Sequence, residues 1–177
     1  MSDTRMILAG FGGQGVLFAG KVIAYAGLIE NKQLSWLPSY GPEMRGGTAN
    51  CSVTLSDEPI GSPLVTTPDV LVAMNQPSYD RFINDVAPGG VVIVDSGLVQ
   101  DLTDREDVTT YAIPATSLSE DADLSGLANI VLVGKLWDAI GFCDRETLDA
   151  AIDKSVPARK AALVEKNKSA IELGIAS

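Results

Sequence analysis

The run from Arg5 to Lys21, Arg-Met-Ile-Leu-Ala-Gly-Phe-Gly-Gly-Gln-Gly-Val-Leu-Phe-Ala-Gly-Lys, constrains the fold more than any other stretch. A short apolar strand runs straight into a cluster of glycines and then into an apolar helix, the opening of an α/β unit. Gly10, Gly12 and Gly15 carry the spacing G-x-G-x-x-G, in which glycine permits a tight turn, close approach of a ligand to the backbone, and close packing of helix on strand. Gly13 bares the loop further. Unbonded N–H groups at the helix start and the positive end of its dipole favour an anion, most simply a phosphate. The same glycines would also let helix and strand pack closely around no ligand at all.

Two standard identifications of such a loop fail. A dinucleotide fold wants an acid at the end of the second strand, roughly 20 residues past the glycines, to hold the ribose hydroxyls. Glu30 has the spacing, but Glu30-Asn-Lys reads as the turn before that strand. Gly15 to Val22 imitates a P-loop, with Gly20 and Lys21 in place, yet Val22 stands where Ser or Thr must bind magnesium, and the stretch falls inside the helix. A nicotinamide dehydrogenase and a nucleoside triphosphatase are therefore both disfavoured.

Composition narrows the chemistry. At 177 residues the chain is expected to form one domain, residues 1–177, with a core that needs no staples. A net charge of -10 argues against a nucleic-acid surface. Cys51 and Cys143 have no cysteine near them in sequence, so this chain alone offers no iron–sulfur or structural zinc site. The sequence contains no His, which removes the commonest general base and any Ser-His-Asp triad. With no charged segment before a long apolar run at its start, the expected location is the cytoplasm. Leu127 to Phe142 is broken by Asn129, Lys135 and Asp138 and is too short to span a bilayer, so no membrane association is expected.

Along the chain, Val16 to Ile29 reads as a helix with apolar residues on nearly every face, and Gln33 to Leu37 as a second strand. Pro38 to Gly47 reads as a loop dense in Gly and Pro, holding Tyr40, Glu43, Met44 and Arg45. Arg45 offers a bidentate partner for phosphate or carboxylate, unless it merely braces the loop against Glu43. Thr48 to Leu55 reads as a strand, and a turn at Ser56 sends the chain through Ile60 to Val65, a pairing without an intervening helix that makes part of the sheet antiparallel. Asp69 to Met74 and Val91 to Val94 are buried strands, with a helix opening at Gln76 and Pro77 between them. Val108 to Ile113 is the last strand.

From Ser117 onward the chain reads as helical, including the apolar segment Ala128 to Phe142. A helix apolar on all sides is buried from both sides, and in so small a domain its outer cover is expected to be another chain. The fold class is thus α/β, a doubly wound, mostly parallel sheet with some antiparallel pairing and a helical final third. In such sheets ligands bind beyond the carboxyl ends of the strands, which here are Gly10, Ser39 with Tyr40, Asn75 with Gln76, and Asp95 with Ser96. Asn75 also suits a helix cap, and Asp95 a turn.

The motif Gly10-Phe-Gly-Gly-Gln-Gly, followed by Pro38-Ser-Tyr-Gly-Pro-Glu-Met-Arg-Gly-Gly and by the helix around Leu127-Ala-Asn-Ile-Val-Leu-Val-Gly, resembles the gamma subunit of the 2-oxoacid:ferredoxin (acceptor) oxidoreductases. The likeness covers nearly the whole chain. It implies a holoenzyme that oxidatively decarboxylates pyruvate, 2-oxoglutarate, branched-chain 2-oxoacids or arylpyruvates to acyl-coenzyme A, using thiamine diphosphate with Mg and passing electrons through Fe-S clusters. It also implies alpha and beta subunits, a ferredoxin-like delta subunit, and ferredoxin as acceptor.

This chain matches the subunit with neither cofactor motif: it has no cysteine cluster and no Gly-Asp-Gly with a downstream Asn for magnesium diphosphate. Its expected role is assembly and the coenzyme A side of the site. The candidate coenzyme-binding residues are Gly10, Gly12, Gly13, Gln14, Gly15, Tyr40, Glu43, Arg45, Gly46, Gly47 and Asn75; no residue stands out as catalytic or metal-ligating. The alternative is a free-standing nucleotide- or phosphate-binding protein.

Overall fold

The computed structural model describes residues 3–40 and 47–177, with the backbone alone at Tyr40. Six strands form one sheet in the order β2-β3-β1-β4-β5-β6. They are β1 (Thr4–Phe11), β2 (Gln33–Tyr40), β3 (Thr48–Ser56), β4 (Val70–Ala73), β5 (Val91–Asp95) and β6 (Thr109–Ile113). The helices are α1 (Val16–Ile29), α2 (Gln76–Phe82), α3 (Ala115–Asp121), α4 (Ala128–Ile140), α5 (Arg145–Ser155) and α6 (Leu163–Ile175). β1, β4, β5 and β6 run parallel, while β3 is antiparallel to both its neighbours.

Both faces of the parallel part of the sheet are covered, because β1, β4 and β5 alternate their side chains between two cores. Met6, Leu8, Cys51 and Val53 face Val22 and Ile23 of α1, Leu136 of α4 and Ile152 of α5. Ile7, Ala9, Leu71, Ala73, Val92 and Val94 face Tyr79 and Ile83 at α2. The antiparallel pairing foreseen from sequence is present, but its partners differ. Ile60 to Val65 forms no strand, and β3 pairs with β1 and β2 instead. β2 also runs through Pro38 to Tyr40, which had read as loop. Pro38 lies opposite Cys51 on the edge strand of the sheet, where the missing N–H leaves no inner ladder bond unmade.

The expectation that another chain covers the outer side of α4 is also corrected. α6 lies against it, and the crossing is set by glycines on both helices. A Cβ on Gly134 would fall 3.0 Å from Ile171 backbone atoms, and one on Gly174 would fall 2.9 Å from the Lys135 nitrogen. Backbones this close leave no room for a side chain, so α4 is buried within its own chain. No helix among the described residues is long and apolar enough to cross a membrane.

Candidate functional site

The chain leaves β1 for β2 and β3 on one side and then returns to β4 on the other, so the crevice beyond β1 and β4 is where the winding reverses. The glycine loop fills it. Gly10 and Phe11 still belong to β1, Gly13 and Gly15 adopt positive φ of 94° and 74°, and α1 begins directly behind them. Positive φ is cheap only for glycine, so these two positions explain the composition of the turn.

Two separated motifs meet at this loop. The Gly12 N–H donates to the Gly47 carbonyl at 2.8 Å, and the β1–β3 register sets Phe11 opposite Thr48. Gly47 thus takes part through its backbone. Glu43, Arg45 and Gly46 lie outside the described residues, as does the side chain of Tyr40.

Gln14 and Asn75 turn inward. Gln14 Oε1 accepts from the Phe11 N–H at 2.6 Å and from Asn75 Nδ2 at 3.0 Å, while Gln14 Nε2 donates to the Met74 carbonyl at 3.1 Å. Asn75 Oδ1 accepts from the Ser78 N–H at 2.9 Å and so caps α2. These side chains fasten the glycine loop to the end of β4, and their polar atoms are taken up in doing so. Asp95 is likewise occupied: fully buried, it accepts from the Gly97 N–H and from the N–H and hydroxyl of Thr116 at the start of α3.

What is left for an anion is backbone. The first intrahelical bond of α1 runs from the Ala19 N–H to the Gly15 carbonyl, so the N–H groups of Val16, Leu17 and Phe18 have no partner within the helix. The helix has no side-chain cap and no acid in its first turn. A cleft of about 310 Å³ lies over this start, lined by Phe11, Gly12, Gly13, Gly15 and Leu17 among others. An anion at such a helix end gains about 0.3–1 kcal/mol at an exposed site. A larger cleft, about 430 Å³, lies at the opposite end of the sheet, where Glu30, Asp57, Asp69 and Asp144 outnumber the one lining lysine, Lys32. Its carboxylates suit no anion. There Glu30 accepts from the Asp144 N–H at 2.6 Å, far from any ribose-binding position.

Asn129 escaped the sequence reading except as a polar break in an apolar segment. Its Nδ2 donates to the Gly15 carbonyl at 2.9 Å, bringing the start of α4 onto the start of α1. The signal available was an amide in the first turn of a largely apolar helix.

Both cysteines are free and buried. Burial pushes the Cys51 thiol up to about 12, and burial with the charges of Glu30 and Asp144 does the same to Cys143. Among the described residues no group of three His, Cys, Asp or Glu is placed to hold a metal.

Residues 5–177 match the family described as pyruvate ferredoxin/flavodoxin oxidoreductase. The chain belongs to that family. It is 44% identical over 153 residues to the 2-oxoglutarate synthase subunit KorC of Methanocaldococcus jannaschii, covering 85% of this chain and 82% of that one. It is 43% identical over 152 residues to the ketoisovalerate oxidoreductase subunit VorA of Methanothermobacter marburgensis, covering 85% of this chain and 31% of the relative. The chain thus spans about a third of the length of its VorA relatives.

Its fold matches the gamma subunit of a keto/oxoacid ferredoxin oxidoreductase from Geobacter sulfurreducens, with a TM-score of 0.84, 31% identity, and 98% and 96% of the two chains covered. It also matches the fold of a chain of the 2-oxoglutarate:ferredoxin oxidoreductase from Magnetococcus marinus, with a TM-score of 0.88 at 24% identity, over 99% of this chain and 31% of that one.

Proposed function

We propose that this chain is the gamma component of a 2-oxoacid:ferredoxin oxidoreductase and that its glycine loop forms part of the coenzyme A side of the site. The holoenzyme converts a 2-oxoacid, coenzyme A and an oxidised acceptor to acyl-coenzyme A, carbon dioxide and reduced acceptor. Thiamine diphosphate with Mg and the Fe-S clusters are supplied by partner alpha, beta and delta subunits, with ferredoxin as acceptor. The KorC and VorA relatives and the Geobacter gamma subunit support the assembly, and the Magnetococcus enzyme carries coenzyme A in its solved form.

The observation that carries the coenzyme-facing role is the bare start of α1, with unbonded N–H groups under an open cleft at the point where the sheet reverses. In this reading the chain binds and orients the coenzyme. Gly13→Val tests the reading. Its Cβ would meet nothing within 4 Å, so the side chain enters the cleft rather than the core, while the positive φ of 94° strains the turn itself and makes the yield of assembled complex a necessary second readout. In the assembled enzyme the KM for coenzyme A should rise about tenfold, equivalent to roughly 1.4 kcal/mol, with the KM for the 2-oxoacid unchanged. An intact complex with an unaltered coenzyme A constant would reject the coenzyme-facing role.

A further inference from the structure

The antiparallel end of the sheet is open on its outer side. Among the described residues β2 pairs with β3 alone, so half of its residues point their N–H and C=O groups away from the sheet. Natural edges are commonly blunted by charge, yet none of the eight residues of β2 is charged. Pro38 blunts only the far end and leaves residues 33–37 able to pair. Beside this edge a groove of about 200 Å³ runs between α1 and β2, lined by Lys21, Ala24, Tyr25, Leu28, Leu34 and Trp36.

Two large apolar side chains of the groove face outward, Leu28 at 50% exposure and Trp36 at 38%. The indole is seated rather than loose, because Gly20 makes room for it: a Cβ there would stand 3.1 Å from Trp36 Nε1. A seated aromatic beside an open edge has the character of an interface anchor, since it has little side-chain freedom left to lose on contact. Charge then distinguishes the possible occupants. Across residues 16–40 the one acid is Glu30, which is engaged with the Asp144 N–H, and Lys32 pairs with Asp57 at 3.4 Å. Lys21 has no carboxylate within ion-pair distance among the described residues; its ammonium lies 5.7 Å from the centre of the Tyr25 ring. A second copy would bring the same lysine and no free acid from this strip, with the -10 charge of the rest of its chain behind it. A different chain can bring the missing carboxylate.

We propose that the β2 edge and the α1–β2 groove are the docking surface for a partner subunit, which lays an extended apolar segment along residues 33–37 and sets a carboxylate against Lys21. Main-chain bonds to the edge supply the attachment, and Trp36 with Leu28 supplies the apolar contact. This inference rests on the multi-chain reading above and adds the place where the partner sits. The VorA relative agrees with a foreign occupant: the matched unit is 31% of that chain, and the rest is tied to it covalently.

Amide hydrogen exchange is measured on the full chain alone and in the complex obtained by co-expression with the neighbouring genes, and the yield of complex is compared for Leu28→Glu, Lys21→Glu and Lys166→Glu. Residues 33–37 should exchange more slowly in the complex than in the chain alone. Leu28→Glu and Lys21→Glu should each lower the yield about tenfold, while Lys166→Glu, the same charge change at an exposed position of α6, should leave it unaltered. If either groove variant melts lower than wild type, the exchange of residues 33–37 in the wild-type complex decides. The proposal is overturned if the complex forms with residues 33–37 exchanging as in the chain alone, or if both groove variants assemble as well as Lys166→Glu. It is also overturned if the chain alone forms a dimer that protects the same residues, which makes a second copy the occupant. A complex without this protection sinks the docking surface alone, whereas no complex at all sinks the subunit reading with it.

Discussion

Gly15→Ala probes the loop geometry at a single atom. Gly15 has φ of 74°, a conformation that disfavours an L-residue by roughly 1–2 kcal/mol. The new Cβ would stand 2.9 Å from Asn129 Cγ and nearer still to Nδ2. Asn129 is 4% exposed, so it cannot yield without giving up its bond to the Gly15 carbonyl. Breaking that bond with both groups still buried adds about 1–3 kcal/mol. The total of about 2–5 kcal/mol compares with a typical stability of roughly 5–15 kcal/mol. At about 2–4 °C per kcal/mol for a chain of this size, the melting temperature should fall by roughly 4–20 °C.

Asn129→Ala makes room for the Cβ. In that background Gly15→Ala should cost only the backbone share, leaving a coupling of about 1–3 kcal/mol between the two sites. Thermal and urea unfolding of the four proteins, followed by circular dichroism, measures this. A Gly15→Ala variant melting within about 2 °C of wild type, or strict additivity across the cycle, would refute the geometry.

Gln14→Leu should destabilise the chain by about 3 kcal/mol, since it strands the Phe11 N–H, the Met74 carbonyl and Asn75 Nδ2 together; a urea midpoint like wild type would show the stitch to be unimportant. The cysteine thiols give a pH prediction. Because burial raises Cys51 from 9.0 to about 12, the neutral thiol stabilises the fold fully below about pH 9, and that contribution is lost as pH rises toward 12. Native protein at pH 8 should therefore react with a thiol reagent only slowly and on unfolding, and rapid labelling of the native chain would contradict the burial.

The stretch from Arg5 to Ile29 was legible because the strand, turn and helix signals there agree with one another. The end of β2 was not, since Pro38 signals a break locally and only the edge position of the strand makes it harmless. The cover of α4 was misjudged for a related reason: Gly134 and Gly174 lie in different helices, and their close crossing has no local signature. In the site, the glycines announced the turn. Gln14 and Asn75 looked equally suited to a ligand, because whether a polar side chain faces outward or back onto its own fold is a tertiary fact. Asn129 comes to Gly15 from 114 residues away, a distance no spacing rule covers.

The central claim is that this chain works as one component of a multi-chain oxidoreductase. Co-expression with the neighbouring genes, followed by purification on a tag carried by this chain, measures it directly. The account predicts a stable complex that reduces ferredoxin with a 2-oxoacid only when coenzyme A is present, and that loses this activity when the chain is left out. A chain that elutes alone, or partners fully active without it, would contradict the account.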